Sequence, residues 1–278
     1  MIALSTGSLY TYGLARVFAL AAETGFDGIE VMVDKPDDNR NARYLASLSE
    51  RNRIPIVALH SPFVPGIPGW PDDQLGRLEH TVTLAQELGV PVVVMHLPYR
   101  VYGIRVEWFG SHTHRFFWPI LWPRRKPYYY LLRDRERWAA YEADSGVHIA
   151  VENMPAHRFL GVSVPLYWFN HLGELAQLPH LTLDTTHIGT WGMDLLAVWD
   201  RLGERVAHIH LANFDGQEHR LPTHGDLPLG TFLSRLAADG YEGEVSVECG
   251  PKVFEAENED ACRRNLAEVL AFCREHYR

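Results

Sequence analysis

Six apolar, strand-like runs in this chain each end on a residue able to bind a metal. They are Ile56-Val57-Ala58-Leu59-His60, Val92-Val93-Val94-Met95-His96, Ile149-Ala150-Val151-Glu152, Leu181-Thr182-Leu183-Asp184, Ala207-His208-Ile209-His210 and Val245-Ser246-Val247-Glu248. One run ending on a polar residue carries little weight, because every strand has to end somewhere. The same ending repeated six times restricts the fold. When parallel strands close into a barrel, their C-terminal ends converge on one face, and in that architecture this face carries the active site. Three histidines and three carboxylates would meet there.

The rest of the chain supports a barrel. Ile2 to Ser5 and Gly28 to Val33 supply two further strands. Between the strands the pattern predicts helices at Leu14 to Thr24, Ala42 to Arg51, Asp72 to Leu88, Tyr128 to Ser145, Leu166 to Leu178, Leu195 to Leu202, Leu229 to Asp239 and Asp260 to His276. In the third of these, Leu75, Leu78, Val82, Ala85 and Leu88 recur at helical spacing. Eight strands alternating with helices predict a single (β/α)8 barrel, a TIM barrel, over residues 1–278. The rival, an open doubly wound sheet, usually carries a glycine-rich phosphate turn after its first strand, and Ser5-Thr6-Gly7-Ser8 does not match GxGxxG. The three residue types of the strand ends, His, Asp and Glu, then decide the chemistry.

Glu152, Asp184, His210 and Glu248 form the sharpest set. Carboxylate oxygen and imidazole nitrogen suit Mn²⁺, Mg²⁺, Co²⁺ or Zn²⁺, and the lack of cysteine ligands argues against a structural zinc site. One ion is expected, with two or three as the alternative. Asp184-Thr185-Thr186-His187 lets a second side chain reach the same place as the chain turns into its loop, so His187 is a ligand, a substrate contact or a proton donor. His60 and His96, on adjacent strands, contact substrate or hold another metal, and Pro62 and Pro98 stiffen the loops that follow them. His208 shares a strand face with His210 but lies deeper, as a packing or supporting group. Glu30 is a candidate hydrogen-bond partner from the second strand. Asp215, His219, Arg220, His224 and Asp226 belong to a polar loop above the same face. Strand alternation points Cys249 away from the pocket.

Composition excludes some functions. With 46% hydrophobic and 22% charged residues the chain can bury a sizeable core. Its three cysteines, Cys249, Cys262 and Cys273, lack metal-type spacing and read as free thiols in a reducing compartment. The N-terminus enters a strand at once and no run is long enough to span a bilayer, so a cytoplasmic enzyme without membrane contact is expected. A net charge of −9 weighs against broad nucleic-acid binding. One patch runs the other way, an aromatic and basic insertion spanning roughly residues 99–127 and its flank. There Arg105, Arg115, Arg124, Arg125, Lys126, Arg133 and Arg135 interleave with Trp108, Phe116, Phe117, Trp118, Trp122 and Tyr128 to Tyr130. It reads as a subunit contact in a homo-oligomer, a lid over a sugar or phosphate, or a stacking surface for nucleic acid.

The segments FDGIEV, ALHSP, VVMHLP, AVENMP, LDTTH, HIHLAN and VSVECG together resemble the xylose isomerase-like barrel superfamily over nearly the whole chain. That superfamily includes sugar and sugar-phosphate isomerases and epimerases, inosose dehydratases, hydroxypyruvate isomerases and apurinic endonucleases of the endonuclease IV type. Similarity to the ketose epimerases implies that Glu152, Asp184, His210 and Glu248 hold one divalent metal. It also implies that Glu152 and Glu248 exchange substrate protons, and that His187 and Arg220 touch substrate oxygens. Similarity to endonuclease IV implies instead a three-zinc cluster on His60, His96, Glu152, Asp184, His187, His210 and Glu248. That pattern needs an Asp-x-His pair after the seventh strand, where this chain has Gln217 and His219. The expectation is a metal-dependent isomerase or epimerase of a small sugar or polyol-derived carbonyl compound, working by proton transfer through a metal-stabilised enediolate. The alternatives are a phosphodiesterase on abasic DNA and an inosose-type dehydratase.

Overall fold

A computed structural model describes residues 1–100, 102–108, 114–120, 125–159 and 162–277. The chain opens with β1 (Ile2–Ser5), α1 (Leu14–Thr24), β2 (Gly28–Met32), α2 (Ala42–Asn52), β3 (Ile56–His60), α3 (Gln74–Leu88) and β4 (Val92–His96). An antiparallel hairpin follows, β5 (Tyr102–Trp108) with β6 (His114–Ile120), and then α4 (Pro127–Arg133), α5 (Arg135–Ser145) and β7 (His148–Glu152). A second hairpin, β8 (His157–Phe159) with β9 (Val162–Val164), precedes α6 (Leu172–Leu175), β10 (Leu181–Asp184), α7 (Thr185–Trp191) and α8 (Leu195–Leu202). The chain continues through β11 (Val206–Leu211), α9 (Leu229–Ala238), β12 (Glu244–Val247) and α10 (Glu259–His276).

Eight strands close in the order β1-β12-β11-β10-β7-β4-β3-β2, every pair parallel, with Ile2 opposite Val245 where the first strand meets the last. This is the expected (β/α)8 barrel. Its side chains follow the two-residue alternation of a strand. Leu59, Val93, Val151, Leu183, Ile209 and Val247 belong to the large buried cluster shared with the helices, whereas Ala58, Val92, Val94 and Ala150 form a separate small cluster. That small set has the parity of His60, His96 and Glu152, so one strand face carries small apolar residues low down and ligand-type residues at its C-terminal tip. Among the described residues no helix is long and apolar enough to cross a membrane. All three cysteines are free and buried.

Three helical expectations need correction. The stretch Tyr128 to Ser145 is two helices, because Asp134 leaves helical geometry (φ −85°, ψ 93°) and its side chain caps α5 by accepting from the Arg137 N–H. Leu166 to Leu178 is helical only at Leu172–Leu175. There Phe169 takes a left-handed φ of 64°, and Asn170 spends its amide on the backbone of Met154, accepting at 2.9 Å and donating at 2.7 Å. A positive φ at a bulky residue ends a helix. Finally, the chain after Asp184 is a helix rather than a loop, capped by Asp184 itself. It packs closely, since a Cβ on Gly189 would stand 2.7 Å from the Phe214 ring.

Candidate metal centre

The barrel delivers its ligand-type residues to one mouth. His60, His96, Glu152 and Asp184 are the last residues of β3, β4, β7 and β10; His210 is the penultimate residue of β11, and Glu248 follows β12 by one. These groups are withdrawn from solvent: His60 is 1% exposed, Glu152 2%, Asp184 1%, His210 0% and His187 5%.

Glu152 stands at the centre. Its Oε2 lies 3.0 Å from His96 Nε2 and 3.5 Å from His60 Nε2. Its Oε1 lies 3.3 Å from His187 Nδ1 and 3.5 Å from His210 Nδ1. His210 Nδ1 is also 2.7 Å from Glu248 Oε2 and 3.9 Å from Asp184 Oδ2. The set Glu152, Asp184, His210 and Glu248 is therefore brought together, with His60, His96 and His187 around it.

Supporting groups fix these side chains from below and behind. Fully buried Glu30 faces His208 Nε2 at 2.6 Å and His210 Nε2 at 3.1 Å, which turns the other nitrogen of His210 towards the mouth. Asn153 clamps the strand tip of β10, accepting from Asp184 N–H at 2.8 Å and donating to Asp184 C=O at 3.1 Å. Asp184 Oδ1 accepts from the His187 N–H at 2.8 Å, which begins α7 and commits only one of the two carboxylate oxygens.

The remaining atoms fit a cation. Glu152 Oε2, Asp184 Oδ2 and His210 Nδ1 are buried yet have no hydrogen bond of acceptable geometry. An unsatisfied buried polar group costs about 1–3 kcal/mol, more when charged. Burial pushes the Asp184 carboxyl up to about 6, with His187 pulling against it and Glu152 adding to it. For Glu152 burial acts upwards, but His96 and the other imidazoles outweigh it and hold the carboxyl well below its usual range. Burial alone would depress His187, yet Asp184 and Glu152 raise it to about 9. The carboxylates thus favour positive charge beside them, and these residue types are of the chemistry that could hold a divalent ion. His60, His96 and Glu152 offer ligand atoms within 4.8 Å of one another, as do Glu152, Asp184 and His187, and also His187, Glu218 and His219.

Glu218 and His219 are the residues that sequence reasoning did not rank. His219 has a left-handed φ of 58°, donates its N–H to Thr186 Oγ1 at 3.1 Å, and holds Nδ1 3.0 Å from the Glu248 carbonyl. The carboxylate sought at Gln217 is present one residue later, at Glu218; the signal was a Glu-His dipeptide in the loop after β11.

A cavity of about 350 Å³ opens over the cluster, lined by His60, His96, Glu152, His187, His219 and Glu248 and walled by Tyr10, Met32, Phe63 and Met154. Cys249 also lines it, contrary to the alternation argument, because the regular strand stops at Val247. Arg220 does not line it; its Nε pairs with Asp215 Oδ2 at 2.9 Å. His224 and Asp226 are exposed and do not line it either.

A second cavity, of about 1050 Å³, shares Pro155 with the first and is lined by Arg100, Arg125, Arg133 and Arg135 together with Tyr129 and Trp168. Arg100 and Arg125 stack on the Trp168 ring at 4.8 and 5.7 Å. The side chains of Arg105, Trp108, Arg115, Phe116, Phe117 and Trp118, and the residues Trp122 and Arg124, lie outside the described residues.

A closed parallel barrel with acids and imidazoles converging at its C-terminal mouth defines a class of architecture. Within it, the chain belongs to the xylose isomerase-like TIM barrel family, whose model matches residues 18–276. It is 30% identical over 298 residues to the uncharacterized protein Rv0498 of Mycobacterium tuberculosis, covering 99% of this chain and 97% of that one. It is 22% identical over 248 residues to fructoselysine 3-epimerase of Escherichia coli O157:H7, covering 84% and 85%. The crystal structure of 3-keto-D-glucoside 4-epimerase YcjR from E. coli shares the fold, with a TM-score of 0.66 at 17% identity over 97% of this chain and 98% of that one.

Proposed function

We propose that this protein is a divalent-metal-dependent isomerase or epimerase acting on a small sugar or polyol-derived carbonyl compound. The observation that carries the reading is the pair Glu152 and Glu248, one carboxylate buried and the other 13% exposed, flanking His210 Nδ1 at 3.5 and 2.7 Å at the floor of one cavity. Two bases on either side of a bound carbon are what a proton transfer between faces or positions requires. One carboxylate removes the proton next to the carbonyl and the other returns it. Glu152, Asp184, His210 and Glu248 are the residues that would hold the ion. When bound, the ion supplies Lewis acidity that makes the C–H beside the carbonyl easier to ionise. His60, His96 and His187 have ring nitrogens close enough to the same floor to hydrogen-bond substrate hydroxyls. Phe63, Met32 and Met154 wall the cavity with apolar surface and limit water. A volume of about 350 Å³ suits a monosaccharide-sized ligand. The epimerase activities named for the two enzyme relatives agree with this reading.

The test is solvent exchange. The metal-loaded protein should incorporate deuterium at the carbon beside the carbonyl of a ketose, aldose or inosose substrate. Glu152→Gln and Glu248→Gln should each suppress incorporation at matched metal content. Absence of exchange over a broad panel would overturn the reading.

A second reading, a metal-dependent phosphodiesterase on abasic DNA, is favoured by the two further clusters His60/His96/Glu152 and His187/Glu218/His219, which offer room for more than one ion. Metal-dependent nicking of abasic duplex, with binding that weakens steeply as salt rises, would select it.

A further inference from the structure

The opposite end of the barrel carries a cluster that the proposed reaction does not use. Glu142 on α5, His148 at the start of β7 and His180 just before β10 converge where the strands begin. We infer that Glu142, His148 and His180 form a separate divalent-cation site, of zinc type, at the base of the barrel.

Glu142 is 4% exposed and, with Trp138, is one of the two buried residues of α5. Its Oε1 faces both imidazoles: it is in hydrogen-bond contact with His180 Nδ1 and 4.0 Å from His148 Nδ1. Its Oε2 is buried and has no hydrogen-bond partner. A simple carboxylate–imidazole pair would explain His180 and leave both His148 and this oxygen unexplained. The two rings stand 4.1 Å apart between centroids at 46°, neither stacked face to face nor edge-on. All three residues offer ligand atoms within 4.8 Å of one another. Zinc held by imidazole and carboxylate at about 2.0–2.1 Å needs neighbouring ligand atoms about 3.4 Å apart. Reaching that value means closing the 4.0 Å gap by well under an ångström at His148, whose side chain is 55% exposed, and opening the His180–Glu142 hydrogen-bond contact, which His180, with a side chain 33% exposed, has room to do.

The surroundings leave the ion reachable. His148 and His180 line a cavity of about 810 Å³ together with Arg205, Val206 and Glu244, so a fourth position faces water. Three protein ligands, from α5, from the start of β7 and from the residue before β10, would tie α5 to the sheet at the end where this architecture carries stability.

Equilibrium dialysis of the full-length protein against saturating Zn²⁺ tests this, whatever number of ions the mouth holds. His148→Ala and His180→Ala should each bind one Zn²⁺ per chain fewer than the wild type. Asp184→Ala, which changes only the mouth, should still lose one ion when combined with His148→Ala. Addition of Zn²⁺ should raise the melting temperature of Asp184→Ala but not that of the Asp184→Ala/His148→Ala pair. Because His148 is half exposed, His148→Ala will fold and decides the matter alone if His180→Ala does not. A full zinc complement in His148→Ala overturns the proposal.

Discussion

Both ends of this barrel set imidazoles around a buried glutamate, and they differ in what else can reach it. At the mouth, Glu152 is 2% exposed and ringed by His60, His96, His187 and His210, themselves nearly all buried. At the base, Glu142 is as deeply placed, but the side chain of His148 is 55% exposed and that of His180 33%. Charge withdrawn from water costs several kcal/mol per group unless it is compensated. The base can draw on solvent through its two half-exposed rings. The mouth has only its own imidazoles and whatever cation enters. Loss of a charge should therefore matter far more at one end than at the other.

Chelation gives the largest expected effect. Removal of divalent ions should abolish turnover, and added Mn²⁺ or Co²⁺ should restore it; full activity in protein shown by elemental analysis to be metal-free would break the comparison outright. Glu152→Gln comes next, with an expected fall in kcat of about 10²–10⁴-fold, the usual worth of a positioned acid–base group. His148→Ala at the base should leave kcat unchanged in the same assay. Glu30→Gln should weaken metal retention at the mouth by about 10–100-fold, the range for groups that orient ligands, because Glu30 fixes His210 through Nε2. A competition titration against a chelator measures it, and unchanged affinity would remove Glu30 from the site. Arg220→Ala should be smallest, within about 0.5 kcal/mol in stability and with little change in KM, since that guanidinium pairs with Asp215 in the loop. A large rise in KM would return Arg220 to the substrate.

Much of this contrast was legible in the sequence at the mouth and little of it at the base. His60, His96, Glu152 and Asp184 could be read because strand period and strand ending are local signals, and parallel closure turns them into one location. Glu30 and His208 were readable as supporting groups for the same reason. What escaped depends on single backbone conformations. Phe169 and His219 adopt left-handed φ values of 64° and 58°, which no periodicity reports. The first cuts short a stretch with helical spacing, and the second brings Glu218 beside His187. Arg220 is a substrate contact only by similarity to the ketose epimerases, and its pairing with Asp215 inside the same irregular loop is a tertiary detail that no motif reports. Glu142 and His180 meet only because α5 packs on β7, which pairs with β10, a tertiary fact with no motif behind it.

The closure of β1 against β12 has a consequence for how the protein matures. His60, His96, Glu152, Asp184, His210 and Glu248 come from the ends of six different strands, and the barrel becomes a ring only when Ile2 comes opposite Val245. A nascent chain that has emerged only through β10 carries Glu152 and Asp184 but not His210 or Glu248. The full binding energy of the four-residue set Glu152, Asp184, His210 and Glu248 is available only to the finished ring. Such long-range pairing is slow to form, so metal uptake during refolding should lag behind helix formation and coincide with the last slow step, which makes the ion a timer of ring closure.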